Sequence, residues 1–459
     1  TDVNLLWTGS LAQAAWQLLL LVVLSVCITG VFFAVGMLFA SLVVSQAREM
    51  RRLYFWDLAG AAGGCLFAVP LEATMGPPAM ILVSLVLLAA LGLGMVLADG
   101  GKWLPTAGAV AAVALLALAA GQLRVRADAT KTLKDTDTVE AGDWGAVFRV
   151  DVVDLGDLKV LHHDGLWGSS IWRYDGTRAT TARFDDDVRQ VPFAALGPDA
   201  GPSVLIIGAA GGNEIMASLT FGASHVDAVE LNPITVDLLR NEYADYTGNL
   251  LDDPRVNYVQ GDGRTFLARS DREYDLIWFV APDSYAASNA ATSGAFVLSE
   301  SYLYTQQMVE VAYDHLTPRG AVVAQFGDFA FDRRPTRTAR YLVTAREALA
   351  DRVDQFDEHV ALIVDDGLED FDRVSTIMLF ASPTTDEAVA RIQESVGGLP
   401  QSTVRYLPGA ERVPGVTSDI ITVSDAELEV LVEDYPFQIS AIDDDRPFFW
   451  HFTGFGTVI

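Results

Sequence analysis

The sequence predicts a multi-domain chain: an N-terminal α-helical transmembrane bundle, then a small antiparallel β-domain, then a Rossmann-like α/β domain. Two observations carry this. Up to about Gly121 the chain is dominated by Leu, Ala, Val and Gly with few charges, and beyond it Asp and Glu crowd the sequence. From Val204 to Asp262 it reads as a buried strand, a glycine turn, a helix, a second strand ending at Glu230, another helix, and a third strand ending at Asp262. Those are the parts of a nucleoside-binding half of a doubly wound sheet.

Residues 1–125 read as the membrane domain. Residues 11–45 form one apolar run, longer than the roughly 20 residues an untilted span needs, with Thr29-Gly30 marking a break or a kink. A basic loop follows at Arg48, Arg51 and Arg52. Further spans run from Tyr54 to Leu71, from Ala79 to Leu97 after the Gly76-Pro77-Pro78 turn, and from Leu104 to Gly121. This is too much apolar sequence for a cleaved signal peptide. Gly60 and Gly64 make a small-residue face for close helix packing. Asp57 is costly so close to hydrocarbon, so it is either a functional carboxylate or an interfacial one paired with Arg51 or Arg52, while Glu72 reads as interfacial. Basic residues on both sides of an odd number of spans leave the orientation open. A cytosolic ligand would place the soluble part in the cytoplasm. The absence of an initiating Met suggests a chain that is not a complete primary translation product.

Residues 126–200 contain the short alternating runs VFRVDVVDL, LKVLHHDG and SSIWRYDG, separated by Gly and Asp turns, which predict a small antiparallel sheet. His162 and His163 are adjacent, so on a strand they face opposite ways and make a poor metal pair.

Residues 201–350 form the nucleoside-binding domain. Gly208, Gly211 and Gly212 let the backbone approach a ligand, with a helix N-terminus behind them. Glu230 at its strand end suits a ribose diol, and Asp262 is placed to accept from an exocyclic amine such as that of adenine. After the strand YDLIWFV, the loop from Pro282 is long and rich in Ser, Ala, Asn and Gly, as a lid over a substrate would be. Asp283 is the candidate base or anchor for a cationic acceptor. Tyr285, Glu300, Tyr302 and Tyr304 are further candidates, with core packing the competing role for the tyrosines. Residues 351–459 read as a C-terminal α/β extension that returns to the membrane interface at DDDRPFFWHF, with Trp450 at the boundary.

The formal net charge of -29 lies almost wholly beyond the membrane domain and argues against nucleic acid. Lys102, Lys131, Lys134 and Lys159 are the only lysines, and an acidic, lysine-poor surface suits a halophilic setting. Cys27 and Cys65 sit in apolar stretches without ligand neighbours, which predicts neither a disulfide framework nor a metal site.

The segment from Asp164 to Gly327 resembles the spermidine synthase family, and the whole chain looks like its membrane-bound branch. The residues that carry this are VLIIGAAGGNE, VELNP, GDGRTFL, YDLIWFV, the LSESYLYT run and DDDRPFF. The resemblance implies a small β-domain followed by a Rossmann-like domain of the class I methyltransferase type, holding decarboxylated S-adenosylmethionine or a related thioether nucleoside. On it, Glu230 takes the ribose, and Asp262 with Gly263 the adenine. The chain departs from the family at two acids. Gly211 stands where the family has an Asp on the donor's amine, and Val280 where it has the proton-accepting Asp, leaving only Asp283 in that loop. A valine accepts no proton. Losing the Asp beside the donor tail could admit intact S-adenosylmethionine, whose carboxylate that Asp would repel.

The function expected from this is a membrane-embedded transferase using S-adenosylmethionine or its decarboxylated form, without a metal, with catalytic Asp283 and Tyr285. A membrane lipid or membrane-protein group would be the acceptor, and a homo-oligomer stays open. The alternatives are a polyamine aminopropyltransferase and a non-catalytic nucleoside sensor or transporter-like protein.

Overall fold

The computed structural model describes residues 11–45, 47–98, 107–108, 110–111, 131–134, 136–145, 148–198, 200–280, 301–328, 331–366 and 373–452. The chain divides into two compact units, Thr1–Asp151 and Val152–Ile459.

In the first unit, α1 spans Leu11–Ser45 as one helix, so of the two alternatives at Thr29-Gly30, two short segments or one long kinked helix, the run is the single long helix. α2 spans Met50–Ala98 and bends at Gly76 (φ 74°, ψ 158°), just before Pro77 and Pro78. A proline inside a helix removes a donor and crowds the preceding turn, so the expected turn survives as a kink. The Trp144 ring fills the space over Gly76, where a Cβ would come within 2.5 Å of it. Among the described residues one helical segment, Pro70–Gly94, is long and apolar enough to cross a membrane, with mean hydropathy 2.1. Leu87, Leu88 and Leu91 on it are exposed. Asp57 lies on α2 and is exposed. The last expected span, 104–121, falls largely outside the described residues.

The unit boundary falls within strand β2 (Val150–Asp154), which follows β1 (Val139–Asp143). In the second unit β3 (Leu158–His163) and β4 (Leu166–Trp172) pair as an antiparallel hairpin. Its turn, Asp164-Gly165, has φ of 50° and 82°, the left-handed pair that matches strand twist in a two-residue hairpin.

The main sheet contains β5 (Ser203–Ile207), β6 (His225–Glu230), β7 (Val256–Gln260), β8 (Tyr274–Phe279), β9 (Leu316–Asp328), β10 (Val360–Asp365), β11 (Arg373–Phe380) and β12 (Ser402–Tyr406). Their spatial order is β12-β10-β11-β9-β8-β5-β6-β7. From β9 through β8, β5 and β6 to β7 every pairing is parallel. β11 then runs antiparallel to β9 and β10, and β12 antiparallel to β10. The continuous apolar runs VLII and LIWF are what central parallel strands covered on both faces require. Asp227 ties strands together from within, accepting from Tyr274 Oη (2.9 Å) on β8 and Asn257 Nδ2 (2.7 Å) on β7.

This arrangement revises the reading of the C-terminus. β10, β11 and β12 extend the same sheet, so residues after 351 complete the Rossmann-like layer rather than standing apart from it. Trp450 is only 3% exposed, and Phe449 packs on Tyr304 (4.6 Å between ring centroids) and Phe326 (5.3 Å). The Arg340 guanidinium donates to the Phe449 carbonyl at 2.7 Å. Trp450 is therefore a core residue of this unit and not an interfacial anchor.

Candidate functional site

The strand order reverses at β5, with β6 on one side and β8 on the other, and the crevice beyond their C-terminal ends is where open α/β sheets bind ligands. The chain leaves β5 through Gly208 (φ 85°), whose N–H, like that of Ala209, donates to the Val229 carbonyl at 3.0 Å. Ala210 follows in the left-handed region at φ 39°, which an L side chain enters at a cost of about 1–2 kcal/mol. Three groups hold it there. Its N–H donates to Glu230 Oε2 at 2.9 Å, its carbonyl accepts from Tyr258 Oη at 2.9 Å, and Gly212 (φ 82°) caps the helix Asn213–Thr220 just beyond.

Glu230 is buried, and its second oxygen, Oε1, accepts from the Asn232 amide at 2.7 Å. Burial pushes its carboxyl above the ordinary range, while the amides of Asn232, Ala210 and Leu231 pull the other way. Both oxygens accept from backbone amides, and a carboxylate oxygen has two lone pairs, so hydrogen-bonding capacity for a diol remains on this group. Tyr258 is pushed well above 10 by burial and by the field of Glu230, so it stays a neutral donor.

Asp262 is exposed and caps the helix Gly263–Ala268, its Oδ1 accepting from the Thr265 amide at 2.7 Å. Its other oxygen is the one with capacity for a ligand. Gly263 is buried against β5, and a Cβ there would meet Ile207 Cγ2 at 2.5 Å. Next along, Arg264 forms a two-pronged pair with Asp444 (2.8 and 2.6 Å), which also accepts from Thr305 Oγ1 at 2.7 Å. The acidic run DDDRPFF thus docks against the start of this helix, a role for it that sequence reasoning missed.

Gly211 is the tightest point of the cradle. A Cβ at this position would lie 2.1 Å from the Ser170 carbonyl oxygen on β4, so the hairpin backbone occupies the place an Asp would need. Sequence comparison with the family pattern exposed the missing acid, but nothing local to the motif showed that β4 fills the gap.

The remaining predicted residues divide. Val280 follows β8 directly and its amide donates to the Ile207 carbonyl at 3.2 Å. Tyr302 is exposed near Arg264, and Tyr304 is fully buried in the aromatic core, the packing role the sequence had left open for it. Asp283, Tyr285 and Glu300 lie outside the described residues. His162 and His163 are both buried, and burial with the adjacent His162 lowers the His163 imidazole to about 4. Among the described residues no group of three or more His, Cys, Asp and Glu side chains gathers as a metal would need.

The strand order and the glycine turn together define a Rossmann-type α/β unit. Residues 192–346 match the spermine/spermidine synthase domain, and the chain is spermidine synthase-like over that segment. Curated relatives include polyamine aminopropyltransferases from Pectobacterium carotovorum (29% identical over 146 residues; 29% of this chain, 50% of the relative) and Streptococcus uberis (27% over 194 residues; 42% and 60%). The chain therefore spans about half the length of the curated relatives it matches. Among solved structures, the spermidine synthase of Thermotoga maritima aligns at 16% identity and a TM-score of 0.40, over 64% of this chain and 88% of its own.

Proposed function

We propose that this chain is a transferase of the spermidine synthase type, moving an alkyl group of the aminopropyl kind from the sulfonium of an adenosyl donor to an amine. The observation that supports it most is the cradle itself, in which the glycine turn, Glu230 and Asp262-Gly263 stand at adjacent strand ends within the matched domain. The lipid or membrane-protein acceptor expected from the sequence gains nothing from the comparisons, which favour the polyamine alternative. In the reaction the amine nitrogen attacks the carbon beside sulfur, the carbon–sulfur bond pair leaves on the thioether nucleoside, and a base takes the amine proton. Alignment and proton removal are most of what the protein supplies. Asp283 is our candidate base, since Val280 cannot accept the proton. The exposed apolar residues of α2 favour attachment to a membrane through the first unit. Calorimetric titration of the detergent-purified chain with methylthioadenosine tests the reading, with binding expected for the parent and lost in Glu230→Ala. If the nucleoside does not bind the parent chain, the proposal falls.

A further inference from the structure

The acidic run near the C-terminus lies along residues 301–307. The Gln306 amide donates to the Ile442 carbonyl at 2.9 Å, and the Ser301 amide to the Pro447 carbonyl at 2.7 Å. Between them the Asp444 amide donates to Gln307 Oε1 at 3.0 Å. The Asp444 carboxylate accepts from Thr305 Oγ1 at 2.7 Å and takes the Arg264 fork on both oxygens, at 2.8 and 2.6 Å. Thr305 is fully buried and caps the helix Gln306–Asp314 through the Met308 amide. Asp444 is therefore placed by its own backbone and by a buried hydroxyl, independently of Arg264.

Arg264 stands two residues beyond Asp262, with Gly263 between them packed on Ile207. That spacing favours an ion pair in this fold. Asp253 and Arg255, two residues apart, close on each other at 2.9 and 2.7 Å, and Asp187 and Arg189 do so at 3.0 Å. Asp262 and Arg264 have the same spacing, yet the guanidinium is on Asp444 instead. It is held above its ordinary value first by its hydrogen bonds to Asp444, against burial, and then by the charges of Asp444 and Asp262. Among the described residues those are the two acids whose charge reaches it, and the Tyr302 carbonyl at 3.2 Å is a neutral acceptor. Asp262 is exposed and uses one oxygen on the Thr265 amide, which leaves the other for a ligand.

We propose that Asp444 is a positioning residue for nucleoside binding: by engaging Arg264 it keeps the guanidinium off Asp262, whose carboxylate stays open to the adenine amine. This rests on the nucleoside reading above. Without the Asp444 charge, Asp262 is the acid left to Arg264, and a bidentate guanidinium would occupy the oxygen the base needs.

Calorimetry on the full chain in detergent compares methylthioadenosine with methylthioinosine, which carries a carbonyl oxygen where adenine has its amine. The proteins are the parent, Asp444→Asn, Arg264→Gln and the double variant. Asparagine keeps an acceptor for the Thr305 hydroxyl and removes the charge. The parent prefers methylthioadenosine by about tenfold or more, because a carboxylate accepts from the amine and repels the carbonyl oxygen. In Asp444→Asn methylthioadenosine weakens by about tenfold and the preference is lost. Arg264→Gln and the double variant bind methylthioadenosine within about twofold of the parent, since no guanidinium is left to compete. That recovery is an outcome a merely loosened C-terminal segment does not produce. Unchanged methylthioadenosine binding in Asp444→Asn overturns the inference and leaves the cradle standing. Equal weakening of both ligands without recovery in the double variant assigns Asp444 to packing and also overturns it. If methylthioadenosine does not bind the parent, the nucleoside reading itself falls, and the inference with it.

Discussion

Gly211→Ala should be costly out of proportion to the single methyl it adds. The new Cβ would stand 2.1 Å from the Ser170 oxygen, 2.6 Å from the Ser170 carbon and 3.1 Å from Ile171 Cγ1. Restoring ordinary contact needs a movement of about 1 Å or more in one backbone or the other. Neither is free to give. Ser170 is paired with Val160 across the hairpin, and Ala210 is clamped between Glu230 and Tyr258. Overpacking costs about 1–3 kcal/mol, and two anchored backbones put this case at the upper end, about 3 kcal/mol. At about 2 °C per kcal/mol for a large domain, the melting temperature falls by roughly 6 °C. Thermal unfolding of the purified chain by tryptophan fluorescence reads the shift, and methylthioadenosine titration reads a loss of affinity of about tenfold or more as the loop is displaced. Gly261→Ala is the control, because a Cβ there has nothing within 4 Å, and it should change stability by less than about 0.5 kcal/mol. Gly211→Asp carries the same Cβ and should restore no acid function. A Gly211→Ala protein that melts within about 1 °C of the parent and binds as well refutes the packing argument.

Three further outcomes follow from particular side chains. Glu230→Ala strands the Ala210 and Asn232 amides in a buried place and should cost about 2–4 kcal/mol in denaturant unfolding, with Glu230→Gln milder. Because burial raises the Glu230 pKa in the fold, the relative stability it contributes is fully present below the ordinary 4.5 and is lost as pH rises through the raised value. Acid should therefore weaken nucleoside binding above pH 4.5 without weakening the fold through this group, and binding that is flat with pH down to 4.5 would count against a carboxylate on the ribose. His163 runs the other way: its folded pKa is depressed from 6.5 to about 4, so its contribution is present above 6.5 and lost as pH falls towards 4. The drop is up to about 3 kcal/mol by linkage, seen as a shift in urea midpoint between pH 7 and pH 4 and largely absent in His163→Gln. Trp450→Ala should cost about 3–5 kcal/mol as a core truncation, whereas an interfacial tryptophan would cost less than about 1 kcal/mol in the same unfolding assay.

The cradle was legible because its chemistry is local. A strand, a glycine turn and an acid at the next strand end each leave a mark within a few residues, and Gly208, Glu230 and Asp262 stand at the strand ends read from the sequence. The parallel core was legible for the same reason, since VLII and LIWF are apolar throughout. The C-terminus misled because DDDRPFFW looks the same whether its aromatics face lipid or a protein core. Only contacts made more than a hundred residues away in sequence, Phe449 on Tyr304 and Phe326 and Asp444 on Arg264, decide between them. Tyr258 was missed because its hydroxyl acts on Ala210 across the sheet, a contact that leaves no periodic trace.

The glycine at position 211 is accounted for by one piece of backbone. An Asp at position 211 and β4 at its present depth exclude one another, because the Ser170 carbonyl fills the space a Cβ would take. At the end of the same strand Trp172 lies under the Arg183 guanidinium at 4.5 Å, so the strand is packed from its other end as well. A loss of one acid that merely reflected decay would leave a hole or a water-filled gap there. The space is instead filled by strand. The strand that fills this space is thus what keeps position 211 a glycine, while Glu230 stays at the end of β6 and Asp262 just beyond β7.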